Sequence, residues 1–190
     1  MWEKTWKTTL IGIIYSMISV SAQPIYAGTF LLTCPQLVPG NGFTQEQVLN
    51  GFGCKGGNIS PELHWSGEPA RTRSFAVTIY DPDAPTGSGW WHWLVVNIPA
   101  TTHSLAPDSG NPDRKLLPGP SLQTRTDFGK PGYGGPCPPT GDTPHHYVIT
   151  VWALDTEKLP VDPDSSGAMV GFFLHQHLLA KAEIILQHGR

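Results

Sequence analysis

Tyr80-Asp-Pro-Asp-Ala-Pro-Thr-Gly-Ser-Gly-Trp-Trp-His-Trp93 is delivered by a β-type run, Phe75-Ala-Val-Thr-Ile79. Phe75, Val77 and Ile79 fall on one face of an extended chain, and Ala76, Thr78 and Tyr80 on the other. The strand therefore ends on two aspartates held between prolines. Each proline fixes its own φ near −65° and pushes the residue before it toward an extended conformation, so Asp81 and Ala84 are stiffened by the covalent chain. A Gly/Ser turn follows, and then a histidine among tryptophans. A turn needs none of these aspartates, histidines or tryptophans, so the stretch reads as a small preorganised pocket at a strand end.

A second stretch has the same character: Gly134-Gly-Pro-Cys-Pro-Pro-Thr-Gly-Asp-Thr-Pro-His-His-Tyr147, opening onto the apolar run Val148-Ile-Thr-Val-Trp-Ala-Leu154. Between the two, Trp93-Leu-Val-Val-Asn-Ile98 is nearly all apolar, as for a strand covered on both sides. Residues 101–144 are rich in Gly, Pro, Asp and Ser and read as a long excursion with one short strand. Thr29–Thr33 and Pro61–Trp65 read as further strands. At the C-terminus, Pro163-Asp-Ser-Ser166 offers capping oxygens, and Val170, Leu174, Leu178, Ala182 and Ile185 recur at helical spacing. Many strands followed by one helix predict a mainly β chain, an antiparallel sandwich with a C-terminal helix at its edge.

The two stretches together carry a resemblance to the phosphatidylethanolamine-binding protein family, also called the Raf kinase inhibitor-like family. Its first signature, Asp-Pro-Asp-x-Pro followed by His, is matched by Asp81-Pro-Asp-Ala-Pro85 and His92. Its second, Pro-His-Arg-Tyr in bacterial members, is matched by Pro144-His-His-Tyr147, with His146 where most members have Arg. The loop Gly135-Pro-Cys-Pro-Pro139 is similar to that of the bacterial YbcL/YbhB-type branch. The likeness runs from about Gly28 to near the C-terminus. It implies a large central sheet with a smaller sheet, a ligand pocket holding Asp81, His92 and His145, and a possible homodimer.

Twelve Lys and Arg against fifteen Asp and Glu leave no basic stripe, so nucleic acid is not an expected partner. Lys4 and Lys7, then an apolar stretch from Thr8 to Val20 and small residues, read as a signal peptide cleaved after Ala27, with Ala22 the alternative. The expected protein is thus periplasmic or secreted, a single domain over residues 28–190. An uncleaved anchor, or a lipoprotein box at Leu31-Leu-Thr-Cys34, are the other readings. Three cysteines allow one bridge and one free thiol. The Gly/Pro loops around Cys54 and Cys137 make those two the expected pair, with Cys34 free; three buried thiols are the alternative.

Asp81 is expected in the pocket, and Asp83 is expected to cap the turn through the backbone two residues on. His145 and Tyr147 share one strand face and His146 the other. The leading reading is a ligand-binding protein for phosphate-type anionic head groups of a small molecule or lipid. Asp81, His92 and His145 would touch the anion, and both imidazoles would gain charge between about pH 8 and 6. Gly135 would let backbone approach the anion; Pro82, Ala84, Pro85 and Pro136 would shape the walls; Trp91 and Tyr147 would add bulk. A protein-interaction module inhibiting a protease, kinase or host factor is the second reading, and an Asp/His hydrolase the third. The ligand types suit zinc, but no short His pair with a third ligand supports a metal, and no cofactor is expected.

Overall fold

The computed structural model describes Met1, residues 29–37 and residues 42–190. The expected signal segment and its cleavage sites, Met1 aside, lie outside the described residues. The run Phe75–Ile79 is the centre of β5 (Ser74–Asp81), which pairs antiparallel with β6 (Trp90–Pro99) on one side and β9 (His145–Leu154) on the other. β10 (Leu178–His188) and the short β8 (Leu122–Gln123) complete a five-stranded sheet in the order β10-β9-β5-β6-β8. A three-stranded sheet, β1-β4-β7, is built from β1 (Leu31–Thr33), β4 (Leu63–Ser66) and β7 (Ser104–Leu105). A separate hairpin joins β2 (Asn50–Gly51) to β3 (Cys54–Lys55).

The large sheet is covered on both faces, which accounts for the unbroken apolar run of β6. On one face Phe75, Val77 and Ile79 pack with Trp93, Val95, Ile149 and Val151 against Leu32, Leu63 and Trp65 of the small sheet. On the other, Ala76, Leu94, Val96 and Trp152 pack against Val170 and Leu174 of α1 (Gly167–Gln176). Ser166 caps α1, its hydroxyl accepting from the Met169 N–H. The helix therefore lies on a face of the sheet rather than at its edge.

The C-terminal helix is shorter than the sequence predicts. It ends at His177, and residues from Leu178 onward form β10, which lines up along the whole length of β9. Ala182 and Leu186, the buried residues of this strand, are four apart, a spacing that satisfies both the 3.6-residue and the 2-residue period. Ile185, assigned to the helical stripe, is 56% exposed. The excursion 101–144 holds two short strands, β7 and β8, and a 3-10 turn at Pro112–Arg114.

The pairing of β5 with β6 slips once near the site. Ile79 faces Trp93 and Tyr80 faces Trp91, so His92 is the extra residue of a β-bulge. Strict alternation from Trp93 would turn His92 toward α1 and Trp91 toward the small-sheet side. The bulge reverses both. His92 meets Tyr147 at 5.2 Å between ring centroids. Trp91 instead packs against Tyr80, with ring centroids 4.4 Å apart and planes tilted by 40°, and joins the α1 face. A Cβ at Gly167 would stand 2.3 Å from the Trp91 ring, so the first turn of α1 needs glycine there.

Candidate functional site

The C-terminal end of β5, the N-terminal end of β9 and the bulge of β6 meet at one end of the large sheet. The loop residues 135–139 close the space above them. The result is a cavity of about 170 Å³. Asp81, His92, His145 and Tyr147 line it together with Ala84, Pro85 and Gly135, and Trp90, Phe52, Phe128, Pro138 and Pro139 form much of its apolar wall. Among its described lining residues there is no lysine or arginine.

Asp81 is buried, and its carboxylate accepts three hydrogen bonds. Oδ1 accepts the N–H groups of Asp83 (2.9 Å) and Ala84 (3.1 Å), and Oδ2 accepts His145 Nδ1–H at 2.8 Å. Asp81, not Asp83, is therefore the residue that caps the turn. Asp83 points outward, where its Oδ2 takes both the backbone N–H and the Nδ1 of His146, each at 2.7 Å. Those bonds hold the Asp83 carboxyl below its ordinary value. His146 is exposed and contributes nothing to the cavity wall.

His92 is held to Gly134 twice. Its Nδ1 donates to the Gly134 carbonyl at 2.7 Å, and its own carbonyl accepts the Gly134 N–H at 2.9 Å. A carbonyl can only accept, so Nδ1 carries the proton and Nε2 of the neutral ring is an acceptor. Burial pushes the His92 pKa below its ordinary value, against the opposing pull of Gly134 and Asp81. The ring is therefore neutral over most of the range in which it was expected to charge. Burial and the adjacent Asp81 carboxylate push the Tyr147 phenol well above its ordinary value, which keeps it a hydroxyl donor. His145 Nε2 lies 3.5 Å from the carboxylate of Asp142.

Several sequence-assigned residues take other places. Trp91 faces α1, and its neighbour Trp90 lines the cavity in its stead, because the bulge shifts the alternation by one. The buried indole N–H of Trp90 finds no partner among the described residues. Pro82 is exposed and Pro136 buried, and neither borders the cavity. Gly135 does border it, but its N–H donates to Asn58 Oδ1 at 2.8 Å. A Cβ there would meet the Gln47 carbonyl at 2.0 Å. Glycine is thus required by the neighbouring chain 47–49, where Leu49 N–H donates to the Pro136 carbonyl. Phe52 and Phe128 are cavity residues that the sequence offered no pattern to find. Cys54 and Cys137 are bonded, tying the β2–β3 hairpin to the cavity loop, and Cys34 is a buried free thiol.

Comparison with known proteins agrees with this architecture. The family profile for phosphatidylethanolamine-binding protein matches residues 39–188. The chain is 54% identical to YbcL of Escherichia coli (strain K12) over 178 residues, covering 94% of this chain and 96% of YbcL. It is 56% identical to YbhB of the same strain over 145 residues, covering 76% of this chain and 90% of YbhB. The crystal structure of E. coli YbcL, described there as a new member of the mammalian PEBP family, matches with a TM-score of 0.83 at 56% identity. That match covers 85% of this chain and 98% of YbcL.

Proposed function

The chain belongs to the phosphatidylethanolamine-binding protein family, and from that premise we propose that its cavity receives the phosphate-type head group of a small molecule or lipid, in a protein exported from the cytoplasm. The observation that carries the reading is the convergence of His92, His145 and Tyr147 on one small cavity around an Asp81 that already accepts three hydrogen bonds. A volume of about 170 Å³ falls short of the roughly 300–1,000 Å³ that enclose a whole drug-sized molecule. It suits a head group.

The polar atoms specify the charge state. Asp81 is a carboxylate, and no lysine or arginine of the lining offsets a second anion. A phosphate dianion beside it meets repulsion, whereas a monoanion brings a P–OH that donates to His92 Nε2. Its remaining oxygens accept from Tyr147 O–H and from the unpaired Trp90 N–H. His145, oriented by Asp81, borders the same space, with its Nε2 3.5 Å from the Asp142 carboxylate. Binding is favoured over hydrolysis because the hydroxyls among the described lining residues are those of Thr86 and Tyr147, and Thr86 donates to the Gly89 carbonyl at 2.5 Å. Among the described lining residues no unengaged serine, threonine or thiol stands beside the Asp81–His145 pair. Export is supported by the Cys54–Cys137 bond, which persists in oxidising compartments, and by the signal-like N-terminal stretch.

Calorimetric titration with a simple phosphate monoester, methyl phosphate, between pH 8 and 6 tests the reading. With a second phosphate pKa near 6, the monoanion rises from about 1% to about half of the total across that range. Apparent affinity should therefore climb by up to about fiftyfold, and His92→Ala should abolish most of the gain. Affinity that is flat or that rises with pH removes the proposed role of these residues.

A further inference from the structure

Phe52 occupies the turn of the β2–β3 hairpin, is 70% exposed and has φ +50°. That is the left-handed region, which glycine enters without strain and phenylalanine does not. A ring this exposed buries little surface to set against that strain, and backbone strain of this kind clusters at functional sites. The ring also has fixed company. It stacks on Phe128 with centroids 5.9 Å apart and planes 24° apart. Phe128 meets Trp90 at 5.3 Å and His92 at 5.4 Å. Aromatic rings thus run without a break from the floor of the cavity to the protein surface.

The hairpin carrying Phe52 is anchored from two sides. The Cys54–Cys137 bond joins it to the cavity loop. Arg190 donates through Nη2 to the Phe52 carbonyl at 3.4 Å and through Nε to the Pro138 carbonyl at 2.6 Å. Phe52 and Phe128 also border a second, larger recess of about 690 Å³ beside the first. A head group held near His92 must send its substituent out through the mouth of a cavity too small to enclose it, and this aromatic wall bounds that exit.

We propose that Phe52 and Phe128 form a specificity wall for the apolar substituent of a phosphate monoester. The ligand class is then an aryl or alkyl phosphate rather than inorganic phosphate or phosphoethanolamine. This rests on the head-group reading of the cavity. The substituent lies against the exposed face of Phe52, which gains an apolar partner in place of water.

Calorimetry with inorganic phosphate, phosphoethanolamine, phenyl phosphate and butyl phosphate at pH 6 is the test, on wild type, Phe52→Gly and Phe52→Tyr. Phenyl and butyl phosphate should bind about tenfold tighter than inorganic phosphate. Phe52→Gly should erase that advantage, bringing the ratio of phenyl to inorganic phosphate affinity close to one; Phe52→Tyr should keep it. Glycine suits the backbone at this position, so Phe52→Gly should melt at or above the wild-type temperature, which separates a binding role from a structural one. Phenyl above butyl marks ring stacking, and equal affinities mark burial alone; both support the wall. An advantage that survives Phe52→Gly, or that is absent in wild type while inorganic phosphate binds, overturns the proposal. If phenyl phosphate binds through Phe52 and inorganic phosphate does not bind at all, the head-group reading falls and the wall stands. Absence of binding by all four ligands removes both.

Discussion

Replacing Asp81 by alanine should destabilise the fold far more than replacing it by asparagine. Three donors converge on this buried carboxylate: two backbone N–H groups of the turn and the ring of His145. Alanine leaves all three without their acceptor and opens a space at the strand end. Each buried donor left without its acceptor costs about 1–3 kcal/mol, so the loss should exceed about 3 kcal/mol. For a domain of this size, about 1 kcal/mol corresponds to roughly 2–4 °C in melting temperature, so a loss of about 10 °C is expected. Asparagine keeps a carbonyl oxygen for the Asp83 and Ala84 N–H groups. Its amide nitrogen then faces His145 Nδ1, and the histidine must change tautomer to accept from it. The loss of a charge-assisted bond and its replacement by a neutral one is worth about 1–2 kcal/mol. Urea unfolding followed by tryptophan fluorescence, with melting curves on the same proteins, gives both numbers. An alanine variant within about 1 kcal/mol of wild type would show that the carboxylate does not hold the turn and the histidine as described.

Stability should also fall as the pH drops through the ordinary histidine range. The folded-state pKa values of His92 and His188 are both pushed down by burial. The unfolded chain then binds protons that the native state refuses, so the stability these rings contribute is present above about pH 6.5 and lost below it. His92→Asn should flatten the acid side of a stability–pH curve; an unaltered slope would count against a buried neutral ring. Reduction of Cys54–Cys137, whose partners are 83 apart in sequence, should lower stability by about 4 kcal/mol in the chain-entropy account, and peptide mapping without reductant should find this bridge and leave Cys34 free. A reduced protein with the oxidised melting temperature would refute that contribution. N-terminal sequencing of the exported protein should begin at Gly28; a start at Gln23 or an intact Met1 would refute cleavage after Ala27.

The strands β5, β6 and β9 were legible because their apolar character is long and their boundaries are marked by Pro82, Pro99 and Pro144. Asp81, His92 and His145 were legible as a set through the resemblance of their two motifs to the phosphatidylethanolamine-binding protein family. What misled was periodicity at two points. In β10 the pair Ala182 and Leu186 fits a helix and a strand equally, and only the partner strand β9 decides between them. Around His92, alternation assigns Trp91 to the pocket, and a single extra residue in the pairing moves Trp90 there instead. Phe52 and Phe128 come from loops without regular spacing, brought together by the disulfide and by stacking, and no local pattern announces such contacts. The turn-capping role went to Asp81 rather than Asp83 because the nearest backbone donors follow the first aspartate and a histidine across the sheet claims the second.

The bulge at His92 has a bearing on how this pocket tolerates change. A histidine reaches the cavity here by residue count rather than by side-chain choice. Exchanging Trp91 and His92 in the sequence would place an indole where the imidazole stands and a polar ring under α1. Deleting one residue between Trp90 and Trp93 would restore regular pairing with Trp90 still opposite Asp81, and the single residue left between the two tryptophans would face the helix, so no imidazole would reach the cavity. Point substitution can therefore tune the chemistry of the cavity, but a change of one residue in chain length at this spot would dismantle it while leaving the apolar pattern of β6 intact.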